Sequence, residues 1–94
     1  MHKMSELYVT TCMEEDEAGT EYHYAYSILI GEMEVNGQFS CESYGVKVQE
    51  QGSGESAAIP NLTTSISRID GLMELLTRNV VTPCTLADVV ADWL

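Results

Sequence analysis

The dipeptide Asn36-Gly37 lies between two long runs of alternating apolar and polar residues, and it constrains the fold more than any other feature of the sequence. A two-residue type I′ turn needs a positive φ at both positions, which asparagine and glycine tolerate best. The runs cover residues 22–35 and 38–49. They predict a tight β-hairpin in which Val35 lies opposite Gln38.

This turn fixes how the two strands pair, since each further pair follows from the first. Three predicted pairs follow: Leu29 with Tyr44, Ser27 with Val46, and Ala25 with Val48. The apolar phase of the third strand changes along its length, because Phe39 and Cys41 occupy odd positions whereas later apolar residues occupy even ones. We expect a β-bulge between Glu42 and Gly45, because a bulge inserts one residue and glycine accommodates it.

The remaining elements follow from period and turn chemistry. Residues 6–13 are rich in β-branched and aromatic residues and predict a first strand, and residues 57–62 predict a short fourth strand that Pro60 confines to an edge. Apolar spacings of three and four predict one helix from Ser67 to about Asn79 and a second one after Thr85. The prediction is one α+β domain over residues 1–94, with a three- to four-stranded antiparallel meander, two C-terminal helices packed on one face, and residues 1–5 disordered.

A row of large side chains stands out on the second strand. Alternation places five residues on one face: Tyr22, Tyr24, Tyr26, Ile28 and Ile30. The opposite face carries Ala25, Leu29, Met33 and Val35, so the predicted register makes both faces of the hairpin apolar. Two helices cover one face only, and large uncovered apolar patches mark interaction sites. The tyrosine row is therefore a candidate interaction surface, with ordinary core packing as the alternative.

The charge of the chain excludes some partners. Fifteen acidic residues stand against four basic ones, a net charge of -11, and residues 1–60 carry nine of that excess. Phosphate binding needs clustered Lys and Arg, so we expect neither nucleic acid nor an anionic membrane surface as a partner. The chain shows no secretory signal and no membrane-spanning run, and three widely spaced cysteines fit reduced thiols, so we expect a cytoplasmic location.

Residues that could carry catalysis are few. The histidines are His2 and His23, and neither stands beside a nucleophile in a recognisable motif. No P-loop, calcium loop or cysteine knuckle is present. We therefore expect no catalytic residue, no metal site, no cofactor and no enzymatic activity. The alternative is a small-molecule or metal site near Tyr44, His23 or Cys41.

Short motifs connect the chain to a known family. They are Ser43-Tyr44-Gly45-Val46 on the third strand and, near the end, Val81-Thr82-Pro83, Leu86, Asp88-Val89-Val90 and Asp92-Trp93-Leu94. With them the chain resembles a family of small uncharacterised proteins from clostridia and related Firmicutes. The resemblance implies a bacterial, cytosolic setting and no assigned activity, cofactor or binding residue.

The sequence leaves the function unknown, and our leading hypothesis is a non-catalytic protein-interaction module. We expect it to form a homodimer through a sheet face or to bind another protein. An acidic inhibitor that mimics nucleic acid is a further alternative, because the excess of acidic residues in the first two thirds of the chain would fit a basic groove.

Overall fold

The computed structural model describes residues 4–35, 37 and 39–94. Four strands and two helices follow in order: β1 Ser5–Glu15, β2 Glu21–Val35, β3 Phe39–Glu50, β4 Ser56–Thr63, α1 Ile66–Arg78 and α2 Leu86–Trp93. The strands form one antiparallel sheet with neighbours in chain order, and the helices pack on it. This confirms the predicted α+β meander. The disorder expected for residues 1–5 concerns positions that are partly outside the described residues, and Ser5 already begins β1.

The core lies between the helices and one face of β2 and β3. Tyr26, Val46 and Val48 on the sheet are fully buried, as are Leu72 and Leu76 on α1. All the sheet residues in this set have even numbers, as expected when one face of a sheet is buried. Along β2, this buried face is the one that carries the tyrosine row.

The pairing of β2 with β3 differs from the predicted register by one residue. Val35 lies opposite Phe39, not Gln38, so three positions separate the two strands. The observed pairs are Leu29 with Gly45, Ser27 with Lys47, and Ala25 with Gln49. The reason is the period of two: this register places Tyr44, Val46 and Val48 on the same face as the tyrosine row, whereas the predicted register would have divided the large side chains between the faces. Of the predicted turn, Asn36 lies outside the described residues.

The bulge predicted between Glu42 and Gly45 is absent from the pairing of β2 with β3, which is unbroken from Tyr24 to Val35. The irregularity near Gly45 lies on the other side of β3, where the register with β4 shifts between Tyr44 and Val46. A Cβ on Gly45 would collide with the carbonyl oxygen of Ile59 and lie 2.5 Å from the Cα of Pro60. Glycine is needed because β4 approaches β3 too closely there for any side chain.

The sheet face opposite the helices does not have the apolar character that the predicted register gave it. Its described central residues are mostly small or polar, with Leu29 as the exception. Ser27 and Leu29 are both buried, and the Nζ of Lys47 on β3 lies 2.9 Å from the Oε1 of Glu6 on β1. Because β1 and β3 flank β2, this ion pair crosses β2 above Ser27 and Leu29. Long side chains from the flanking strands thus cover this face.

The helices begin and end near the predicted positions. Ser65, rather than Ser67, caps α1, since its hydroxyl accepts a hydrogen bond from the backbone N–H of Arg68 at 3.3 Å. Thr85 precedes α2, as predicted, but makes no side-chain capping bond. No helix in the described part of the chain is long and apolar enough to span a bilayer.

One buried hydrogen bond joins the sheet to the connection between the helices. The hydroxyl of Tyr26 donates to the carbonyl oxygen of Val81 at 2.9 Å, and Tyr26 has no exposed surface. Burial raises the pKa of Tyr26, so the phenol stays protonated and remains a donor.

Replacing Tyr26 by phenylalanine should lower the free energy of unfolding by about 1–3 kcal/mol, because the buried carbonyl of Val81 loses its donor. Urea denaturation followed by circular dichroism measures the difference. Tyr8→Phe is the matched control: Tyr8 is 60% exposed, so its change should stay within about 0.5 kcal/mol. Equal effects of the two substitutions would contradict this account of Tyr26.

Gly45→Ala should destabilise the protein by about 1–3 kcal/mol, because the new methyl group has no space against β4. The matched control is Gly71→Ala on α1, where a Cβ meets nothing within 4 Å. That change should stabilise the protein by about 0.5–1 kcal/mol through helix propensity. Thermal unfolding of both variants tests the prediction, which fails if Gly45→Ala is neutral.

Candidate functional site

The structure places most of the tyrosine row in the core. Tyr24, Tyr26 and Ile28 are buried beneath the helices, and Tyr22 and Ile30 are half-buried. The row therefore presents little side-chain surface to the solvent. This placement favours the core-packing interpretation of the row. Its role as an association surface stays a prediction.

The exposed apolar surface is concentrated at the start of the chain. Among the described residues seven large apolar side chains are exposed, and five of them lie within residues 4–13. Three are consecutive: Leu7, Tyr8 and Val9 are exposed by 54%, 60% and 41%. Leu7 lies opposite Ile28 and Tyr8 opposite Ser27, so these two side chains face different sides of the sheet. Single exposed apolar residues are ordinary, whereas several gathered on one edge strand mark a candidate interaction site. The first half of β1 is therefore the surface to examine.

A β-bulge at Val9 shapes this group. Tyr8 pairs with Ser27 and Thr10 with Tyr26, so Val9 has no partner on β2. Without the extra residue, Tyr8 would lie opposite Ile28. With it, Leu7 takes that position and lies on the helix side of the sheet. The bulge thus sets which side chain of β1 faces α1.

A groove lies between this part of β1 and α1, and we call it the β1–α1 groove. It arises because α1 packs mainly on β2, β3 and β4, which leaves the helix side of β1 partly uncovered. Its volume is about 490 Å³. The lining residues are Leu7, Tyr8, Val9 and Thr10 of β1, Ile28 of β2, and Asp70, Met73, Glu74 and Thr77 of α1.

The α1 wall of the groove is acidic. Asp70 and Glu74 are four residues apart and so lie on one side of the helix. The Nη2 of Arg78 donates to the Oε1 of Glu74 at 2.9 Å. The hydroxyl of Thr77 donates within the helix, to the carbonyl oxygens of Met73 and Glu74. The wall thus presents carboxylates beside an apolar floor.

The residues considered for a small-molecule or metal site lie far apart. The hydroxyl of Tyr44 donates to the Oε1 of Glu42 at 2.6 Å, and this carboxylate raises the pKa of Tyr44. Cys41 lies in the first part of β3, whereas the carbonyl of His23 accepts from the N–H of Gln51, just beyond the last residue of that strand. At about 3.3 Å per residue, Cys41 and His23 are roughly 30 Å apart. Cys41 and Tyr44 are three residues apart on β3 and therefore face opposite sides of the sheet, so the structure brings no two of the three candidates together.

Two further titratable groups among the described residues make local contacts. The Nε2 of His23 lies 3.5 Å from the Oε1 of Glu21, and both side chains are about half exposed. The thiol of Cys12 donates to the carbonyl oxygen of Thr77 at 3.7 Å, where β1 meets the end of α1. Over the described ranges no group of three or more His, Cys, Asp or Glu residues is arranged to hold a metal ion.

Sequence reasoning missed the groove. The available signal was the run Leu7-Tyr8-Val9, in which three consecutive apolar residues break the alternation expected of a half-buried strand. Such a break is typical of a bulge. The acidic wall on α1 could not be assigned to the same site from the sequence, because about sixty residues separate it from β1.

Comparison with known proteins identifies the family of the chain but no curated or structurally characterised relative. A protein-family model matches residues 5–94, and the description of that family states that its function is unknown. This confirms the resemblance to a family without an assigned activity. No curated protein and no solved structure matches the chain.

Proposed function

We propose that this protein, a member of the family of unknown function DUF6514, is a non-catalytic module that binds another protein through the β1–α1 groove. The observation that carries the proposal is the exposure of Leu7 and Val9, two apolar side chains of β1 that line this groove. Exposed apolar side chains that line a groove are a candidate binding surface for a partner. The resemblance to clostridial proteins supports a bacterial, cytosolic setting, which we include in the proposal.

The shape of the groove favours a macromolecular occupant over a small molecule. A small ligand is usually buried over most of its surface. The β1 wall of this groove is formed by side chains that are themselves about half exposed. An elongated segment that continues beyond the groove would cover these side chains, whereas a compact ligand would leave them in water.

Self-association is the less favoured form of the proposal. That form rests on a hairpin that is apolar on both faces. Opposite the helices, the described residues of β2 and β3 are mostly small or polar, and the exposed apolar side chains there, Tyr8 and Met13, belong to β1. Each copy also carries a net charge of -11, which opposes the approach of a second copy. We therefore propose a different protein as the partner.

Site-specific photo-cross-linking in the native host tests the proposal. A benzoylphenylalanine at Val9 should give a discrete adduct with another protein, because this side chain lies in the wall of the groove. The matched control places the same group at Ile66, which is 60% exposed and does not line the groove. It should give no such adduct.

A second substitution connects the adduct to the groove. Adding Leu7→Asp to the Val9 cross-linking chain should reduce the adduct yield about tenfold or more, since a charge replaces an apolar contact. The variant should stay folded, because Leu7 is more than half exposed. Equal adducts at Val9 and Ile66, or none at Val9, would refute the proposal, and an adduct of twice the chain mass would identify a homodimer instead.

A further inference from the structure

The edges of the sheet differ in how open they are to another strand. β1 and β4 are the two edge strands. β4 contains Pro60, which has no backbone N–H to donate, and this hinders the addition of a strand there. β1 is 11 residues long, contains no proline or lysine, and pairs with β2 alone, with one interruption at the Val9 bulge. Half of its backbone N–H and C=O groups therefore point away from the sheet.

The charges around β1 define which strand would fit. The stretch from Leu7 to Met13 carries no charge and is flanked by Glu6 and Glu14. Across the groove, α1 adds the carboxylate of Asp70 and that of Glu74, which is ion-paired with Arg78. The complementary segment is apolar in its middle and carries Lys or Arg where it meets these carboxylates.

From this combination we propose that the occupant of the β1–α1 groove is an extended, apolar and basic segment of another protein. It adds to the outer edge of β1 as a fifth strand. Its backbone pairs with the unpaired edge, and every second side chain enters the groove above Ile28 and Met73. This inference rests on the proposed function and specifies the chemistry of its partner.

A second copy of this chain fits the same edge poorly. In an antiparallel pair centred on Thr10, the middle of β1, Glu6 of each copy would face Glu14 of the other. Like charges directly opposite each other destabilise a pair of strands. A basic segment turns the same positions into favourable contacts.

Titration with blocked synthetic peptides tests the inference. The probe peptides alternate lysine with valine, leucine or phenylalanine, and the matched peptides carry glutamate in place of lysine. We expect the lysine peptides to bind and the glutamate peptides to bind at least about tenfold more weakly, measured by fluorescence anisotropy. Raising the salt concentration should weaken the lysine peptides, because the rim carboxylates are exposed to solvent.

Two measurements locate and describe the binding. The double variant Asp70→Asn, Glu74→Gln should weaken the lysine peptides by about three- to tenfold, whereas the charge-matched control Asp88→Asn, Asp92→Asn on α2 should not. Hydrogen exchange should slow at the backbone amides of β1 that point away from β2. Unchanged exchange along β1, or equal loss in both double variants, would overturn the inference.

The outcomes separate this inference from the proposed function. If no lysine peptide binds while the Val9 cross-linker still captures another protein, the groove has a partner of different chemistry, and only the basic strand is refuted. If the cross-linker also captures nothing, both proposals fall. A glutamate peptide that binds as well as its lysine counterpart refutes the charge argument directly.

Discussion

The packing of α1 against β2 and β3 is the interaction on which the rest of the structure depends. Leu72 and Leu76 belong to one buried cluster with Tyr26, Val46 and Val48, and all five are fully buried. Because a strand presents only one of its two sets of side chains to such a layer, this packing fixes the register of the hairpin. It also determines which part of the sheet stays accessible, because a helix packed on β2, β3 and β4 leaves β1 partly uncovered.

Most of the fold follows from periodicity in the sequence. The order of strands and helices, the edge position of the strand with Pro60, and the end of α1 near Asn79 were all predictable. The register predicted from the Asn36-Gly37 turn is wrong by one residue, because the shared face of Tyr44, Val46 and Val48 decides the pairing instead. Burial of a whole face involves far more free energy than the choice of turn.

The candidate site was harder to predict than the fold. The tyrosine row had the composition of an interface, yet its placement under α1 depends on which face the helices cover, and periodicity alone does not decide this. The β1–α1 groove is lined by residues distant in the sequence, such as Leu7 and Met73. Only the break in alternation at Leu7-Tyr8-Val9 indicated the strand concerned.

The unpaired Val9 also bears on the solubility of the protein. A long, regular edge strand without lysine or proline is a template on which identical chains can stack into fibrils. The bulge interrupts the regular row of backbone groups on this edge, so it hinders the addition of identical chains. A partner strand that accommodates the bulge can still pair with β1. Loss of the single codon for Val9 would leave every pair with β2 intact and remove this protection. The expected result is a chain that folds normally and then aggregates.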